Sequence, residues 1–277
     1  MKNYRNEKVS TVQDELWKRR INIKFELDIQ INKNQGSIPY IIEANRYQYL
    51  HYFYSLILLY FQLDEKNLAF DHLWFSYNNI PLRWELSIGI LFDLYHIKDD
   101  IFFSITIHNS HYPKNAVVIE ESQVNSLLNI SQIFKDLLWK SILKCNIELF
   151  HSFQQLYISK PIYYIPIMIL FNDHTFIIKV KRESFSDESL LNILQKRFPF
   201  FIYRKKTNSL LFISSENIHS STQKEQKEQK EQKEQKEQQY ICITQGIEIN
   251  CLDNIYMLWE LFKYPMDILV IIIRKVS

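Results

Sequence analysis

The sequence predicts an α+β chain in which two small sheets each grip a helix, joined by a helical bridge. Three observations lead there. The first is the stretch "INIKFELDIQI", where Ile21, Ile23, Phe25, Leu27, Ile29 and Ile31 alternate with polar residues. A period of two sustained that long is a strand signature. The second is the order of elements that follows it, and the third is the repetition of that order in the C-terminal half.

After the first strand comes a turn-rich "NKNQGS", then a second strand near Pro39–Ala44. "RYQYLHYFYSLILLYFQL" is apolar on too many sides for a surface helix and predicts a helix lying across a sheet. "HLWFSY" and "IPLRWEL" read as two short strands around Asn78-Asn79, because Asn tolerates the positive φ of a tight turn. "IGILFDLY" is a short helix and "IFFSITIH" another strand. Strand, strand, long helix, strand, strand, short helix, strand is the order of a ubiquitin-like β-grasp.

The second half repeats it. "YIPIMILF" and "TFIIKVKR" flank Asn172-Asp173, a hairpin signal. "SFSDESLLNILQKRF" is helical, with acidic residues at its start, cations in its last turn and Pro199 just beyond. "SLLFIS" and "YICITQGIEI" follow as strands, then a short helix around Tyr256–Phe262 and a final strand, "DILVIIIRKV". Between the halves, Leu127, Leu128, Ile133, Phe134, Leu138 and Ile142 fall at the three-and-four spacing of amphipathic helices. The expected organisation is a tail and helix over 1–18, a first ubiquitin-like domain over 19–113, a helix-rich domain over 114–160 and a second ubiquitin-like domain over 161–277. The last carries a low-complexity insertion at about 216–239, whose five "KEQ" copies from Lys224 to Gln238 have no apolar face to pack.

Composition narrows the function. Nearly half of the 277 residues are apolar, enough for real cores, and general disorder is excluded. A net charge of +2 is too balanced for a dedicated nucleic-acid binder, so no nucleic acid is expected as a partner. Three cysteines, Cys145, Cys242 and Cys251, lack C-x-x-C spacing and read as thiols in a reducing compartment. The N-terminus shows no apolar signal core, and the run Tyr49–Phe61 is too short to span a bilayer. A soluble, cytoplasmic protein is expected.

No catalytic set assembles. With Gly36, Gly89 and Gly246 as the only glycines, neither a phosphate-binding loop nor a dinucleotide fingerprint can be written, and no cofactor is expected. His108 and His111 have H-x-x-H spacing without neighbouring ligands, so no metal site is expected. Asp93, in a short apolar helix, reads as a cap or surface residue. Trp74, Phe75, Tyr77 and Trp84 lie on adjacent short strands, where alternation sends some inward and some outward. Either all serve the core, or one or two sit in a groove that receives a partner helix.

These residues resemble a known family, autophagy protein 5. Trp74, Phe75, Tyr77, Pro81, Leu82, Trp84, Ile88, Gly89, Leu91, Phe92, Asp93 and Leu94 match its most recognisable stretch in register. "LWKRRINIKFELD", "RYQYL", "ITIHNSHYP", "LLWKSILKCNIELFHSF", "YIPIMIL" and "LWELFKYPMDILVI" look like further family segments, in order along nearly the whole chain. The resemblance implies two ubiquitin-like domains flanking a helix-rich one, no active site, and function as a scaffold. The family is joined by an isopeptide bond to the ubiquitin-like autophagy protein 12, binds a helix of the coiled-coil autophagy protein 16, and promotes attachment of autophagy protein 8 to phosphatidylethanolamine at the isolation membrane. By that resemblance Trp17, at the end of the N-terminal helix, joins Trp74 and Trp84 as candidate partner contacts, and peripheral attachment to an isolation membrane or another organelle membrane is expected.

The sequence departs from the family in one chemically important place. Where the family has its acceptor lysine, "VNSLLNIS" puts Asn129, whose amide is not nucleophilic. Lys135 and Lys140 are the nearest substitutes, so non-covalent pairing with autophagy protein 12 is the expectation. Ser87 and Met168 replace a family proline and arginine without threatening the fold. Two other function classes stay open. One is a thiol-dependent conjugating factor using Cys145; the other is a generic ubiquitin-like membrane adaptor helped by Lys18, Arg19 and Arg20.

Overall fold

In the computed structural model of the chain, residues 2–28, 38–63, 73–83, 86–95, 101–109, 148–149, 152, 163–172, 174–181, 188–212, 238–265 and 267–276 are described. They fall into two compact units, Met1–Pro161 and Ile162–Ser277.

The first unit opens with α1 (Lys2–Lys18), so helix occupies the N-terminus where a tail was expected to precede it. In β1 (Arg20–Leu27), alternation sorts the side chains as the sequence predicts: Ile21, Ile23 and Phe25 are buried and Asn22, Lys24 and Glu26 are not. β1 pairs antiparallel with β2 (Tyr40–Asn45) and parallel with β5 (Phe103–Asn109). β3 (Leu73–Tyr77) pairs with β5 and with the two-residue β4 (Ile80–Pro81). The order β2-β1-β5-β3-β4, with the first and last strands parallel at the centre, is the β-grasp arrangement. Asn78 and Asn79 sit at φ 48° and 64°, as the two-residue turn between β3 and β4 requires. Proline is tolerated in β4 because it is an edge strand.

The gripped helix is shorter than the apolar run suggests. A 3-10 turn at Leu50–Phe53 leads into α2 (Tyr54–Tyr60), and the chain turns off at Gln62, φ 53°. Residues 45–48 are held out of the helix by their own side chains. Asn45 N–H donates to Gln48 Oε1 at 2.8 Å and Tyr47 N–H donates to Asn45 Oδ1 at 2.8 Å. Such side-chain-to-backbone bonds compete with helix formation. Leu50, Phe53 and Ile57 then face the sheet, where Phe53 meets Phe25 at 6.4 Å between ring centres. α3 (Ile88–Tyr95) adds Ile88 and Leu91 to the same core.

The second unit repeats the scheme and extends it. β6 (Tyr164–Phe171) and β7 (His174–Lys181) form a fully paired hairpin with Asn172 at φ 52°. β12 (Leu269–Lys275) lies parallel to β6 and antiparallel to β10 (Gln239–Thr244). The sequence suggested a single strand over "YICITQGIEI"; it is two, because Gln245 and Gly246 take φ 52° and 73° and turn the chain into β11 (Ile247–Ile249). A strand not expected from sequence, β8 (Phe201–Arg204), pairs with β9 (Ser209–Phe212), which joins β10 at Gln239 and Tyr240. The helix expected over Ser184–Phe198 is described as α4 (Leu190–Arg197), where Ser189 caps the start by accepting the Asn192 N–H at 3.2 Å. α4 and α5 (Ile255–Phe262) bury Leu190, Ile193, Leu194, Ile255, Leu258 and Trp259 against the sheet. Of the expected bridging segment only Glu148, Leu149 and Ser152 are described, all three as helix, and of the "KEQ" tract only Gln238 is described. No helix among the described residues is long and apolar enough to cross a membrane.

Candidate partner-binding surface

The run around α2 is apolar on two sides because it carries two stripes. Leu50, Phe53 and Ile57 point inward. Tyr52, Leu56, Leu59 and Tyr60, spaced four, seven and eight residues from the first, point outward and are exposed, Leu59 at 77 %. Tyr60 also stacks on Tyr40 of β2 at 4.5 Å, and its hydroxyl donates to the Pro39 carbonyl at 3.3 Å. The stripe therefore adjoins the β2 edge, where Ile38 and Ile41 are exposed as well. A row of exposed aliphatic and aromatic side chains at helical spacing is what one helix offers another. The sequence places this helix over a sheet, but which apolar stripe faces outward is decided only by the sheet.

Each tryptophan singled out from sequence has a different fate. Trp17 is 4 % exposed, its ring against Tyr47 at 4.8 Å. Its carbonyl accepts from Asn45 Nδ2 at 2.5 Å and from the Arg20 guanidinium at 3.0 Å. Its side chain thus joins the unit's interior, leaving no indole face for a partner. Trp74 is half-buried. The register sets it directly opposite His108, and the two rings stack at 4.0 Å. Trp84 lies outside the described residues, as do Asn129, Lys135, Lys140, Cys145 and His111.

His108 is bonded through both ring nitrogens. Its Nδ1 lies 2.5 Å from Asp28 Oδ2 and its Nε2 lies 2.7 Å from Ser76 Oγ. With the proton on Nδ1, the ring donates to Asp28 and accepts from the Ser76 hydroxyl. This connectivity matches a hydrolase triad, yet Ser76 is fully buried, so no carbonyl can reach its oxygen. The chain of bonds instead fixes Trp74 on the outer face of the sheet. Among the described residues no three His, Cys, Asp or Glu side chains gather as metal ligands.

Asp93 corrects the sequence reading. It is neither a cap nor a surface residue but lies buried at 3 %, ion-paired with Arg46, which is 4 % exposed. Arg46 also donates to the Gly89 carbonyl at 3.2 Å, while Gly89 N–H donates to the Arg46 carbonyl at 2.8 Å. That approach requires glycine: a Cβ at 89 would stand 2.8 Å from Arg46 Cβ and 2.9 Å from its carbonyl oxygen. Two sequence stretches that carry the family resemblance, "RYQYL" and "IGILFDLY", thus hold each other in place. The pair anchors the turn from which the helix carrying the exposed stripe departs.

In the second unit Cys242 and Cys251 are buried with their sulfurs 3.5 Å apart. The hydrogen bond with Cys251, and then burial, push the Cys242 thiol well above its ordinary pKa, so it is a poor nucleophile.

Residues 16–109 match the family model described as "Autophagy protein ATG5, UblA domain". Autophagy protein 5 of Debaryomyces hansenii is 22 % identical over 258 residues, spanning 77 % of this chain and 88 % of that protein. The Arabidopsis thaliana protein of the same name is 27 % identical over 155 residues, 48 % of this chain and 46 % of its own length. A crystal structure of Kluyveromyces marxianus Atg5 has the same fold, with a TM-score of 0.69 over 96 % of this chain and all of that one, at 16 % identity. In sequence and in fold, then, the chain resembles autophagy protein 5.

Proposed function

We propose that the chain is a non-catalytic scaffold in autophagy, pairing with the ubiquitin-like autophagy protein 12 and with a helix of the coiled-coil autophagy protein 16. Held on an isolation membrane or another organelle membrane by that assembly, it promotes attachment of autophagy protein 8 to phosphatidylethanolamine. The relatives in yeasts and plants support the autophagy role. The observation that carries the partner-binding reading is the outward stripe of Tyr52, Leu56, Leu59 and Tyr60, which a partner helix would cover. Asn129 in place of a lysine argues that autophagy protein 12 is held without a covalent bond.

Co-purification with candidate protein 12 and protein 16 partners tests both parts. Native gels are expected to show the assembly and denaturing gels to show three separate chains. An adduct of the chain with protein 12 that survives denaturation refutes non-covalent pairing; no association at all refutes the scaffold. Leu56→Asp with Leu59→Asp is expected to weaken helix capture by at least tenfold while leaving the circular dichroism spectrum unchanged, because both side chains are exposed. Retained function after Cys145→Ser separates this reading from a thiol-dependent conjugating factor.

A further inference from the structure

β7 is the edge of the second sheet. Its inner side is paired with β6 at all eight positions, and among the described strands its outer side pairs with none. An unpaired edge displays N–H and C=O groups that can template another strand. Beside it runs α4, and a cleft of about 590 Å³ opens between the two. The cleft is lined on its apolar side by Ile177, Ile178, Val180 and Ile193. Its charged lining is mostly cationic: Lys179, Lys181, Lys196 and Arg197, with Glu188 as the carboxylate among them. Glu188 is already bonded to Lys196 at 2.8 Å, and Arg197 lies over the Phe176 ring at 5.1 Å. Lys179 and Lys181 are exposed, and neither has a carboxylate partner among the described residues.

We infer that this edge and cleft receive an extended, acidic peptide segment of a partner protein as an added strand. Alternation assigns its side chains. Ile178 and Val180 pack toward the core, while Lys179 and Lys181, which the cleft also reaches along the strand edge, alternate to the other side. An added strand therefore sets every second side chain over Ile178 and Ile193, where apolar residues fit. The intervening ones stand opposite Lys179 and Lys181, where Glu or Asp fits. The same two lysines repel the matching edge of a second copy, so the charge selects a different, acidic chain over self-pairing. Lysines that only blunt the edge would not need the apolar cleft behind them. This surface is formed by residues of the second unit.

The test uses the full chain and a fluorescein-labelled eight-residue peptide of alternating Glu and Val, with its Lys-and-Val counterpart. Fluorescence anisotropy is expected to show saturable binding of the Glu peptide at least tenfold tighter than the Lys peptide, and weakening as salt rises. Lys179→Glu with Lys181→Glu is expected to reverse the preference. Hydrogen exchange of amides 174–181 is expected to slow at least threefold when the Glu peptide is bound. Equal binding of the two peptides, an unchanged preference in the double variant, or unchanged exchange along β7 each overturn the inference. So does a double variant that loses only binding to phosphatidylserine vesicles, which makes the cations a membrane contact, or a chain that dimerises through this edge.

Discussion

Asp93→Ala is expected to lower the stability of the first unit by about 3–5 kcal/mol, the range for removing one partner of a buried ion pair. The loss takes from the buried Arg46 guanidinium the carboxylate it pairs with, and the carbonyl of Gly89 replaces only part of that interaction. The magnitude is a large share of the 5–15 kcal/mol that typically separates folded from unfolded chains. Asp93→Asn is expected to cost less, because the amide oxygen can still accept from the guanidinium. Arg46→Met combined with Asp93→Leu is expected to regain most of the loss, since a buried pair replaced by apolar side chains of similar volume is often neutral. Urea unfolding followed by circular dichroism gives the values, and a double-mutant cycle isolates the pair. A cost below about 1 kcal/mol for Asp93→Ala would mean that the pair is hydrated in solution and that Gly89 and Asp93 do not hold the 45–48 turn.

What was legible in the sequence is what local rules decide. Alternation located β1, and the Asn-containing turns, with the hairpin of β6 and β7 built on one of them, were placed because side-chain chemistry sets their φ. The repetition of one element order gave both sheets their β-grasp reading. Less legible was anything decided at a distance. Asp93 sits among apolar neighbours in sequence, and nothing local says that an arginine 47 residues earlier reaches it. The same arginine, with Asn45 and Gln48, takes the first turn away from the expected long helix. β8 was missed because "FIYR" is short and strand character there depends on β9 supplying the partner edge. As for the candidate surface, apolar content was visible, but the division of α2 into an inward and an outward stripe needs the sheet to define which side is in. Trp17 misled for the converse reason: a tryptophan at a helix end looks available until Tyr47 folds onto it.

Trp259→Ala is expected to destabilise the second unit by about 3–5 kcal/mol, the usual loss for removing a large buried aromatic side chain. Trp259 is 2 % exposed within the core that α5 and the sheet share. It also does something no apolar residue can: its indole N–H donates to the Asp267 carbonyl at 2.7 Å. Asp267 stands at φ 58°, an uncommon conformation for a non-glycine residue, and is held there from three sides. Besides Trp259, its own N–H donates to the Tyr264 carbonyl at 2.9 Å, and its carboxylate pairs with Lys263 at 2.7 Å. Lys263 in turn lies 4.1 Å above the centre of the Trp259 ring. The indole therefore both fills the core and fixes the turn that launches β12, the strand between β6 and β10. Trp259→Phe separates the two roles. It keeps most of the packing but leaves the Asp267 carbonyl without its donor, for an expected cost of about 1–3 kcal/mol. Hydrogen exchange at Leu269–Ile273 is expected to quicken in both variants, more in the alanine one, because their amides depend on β12 staying in register. If Trp259→Ala unfolds at the urea concentration of the unaltered chain, the indole does not support the core. If Trp259→Phe leaves exchange in β12 unchanged, the N–H does not set the turn.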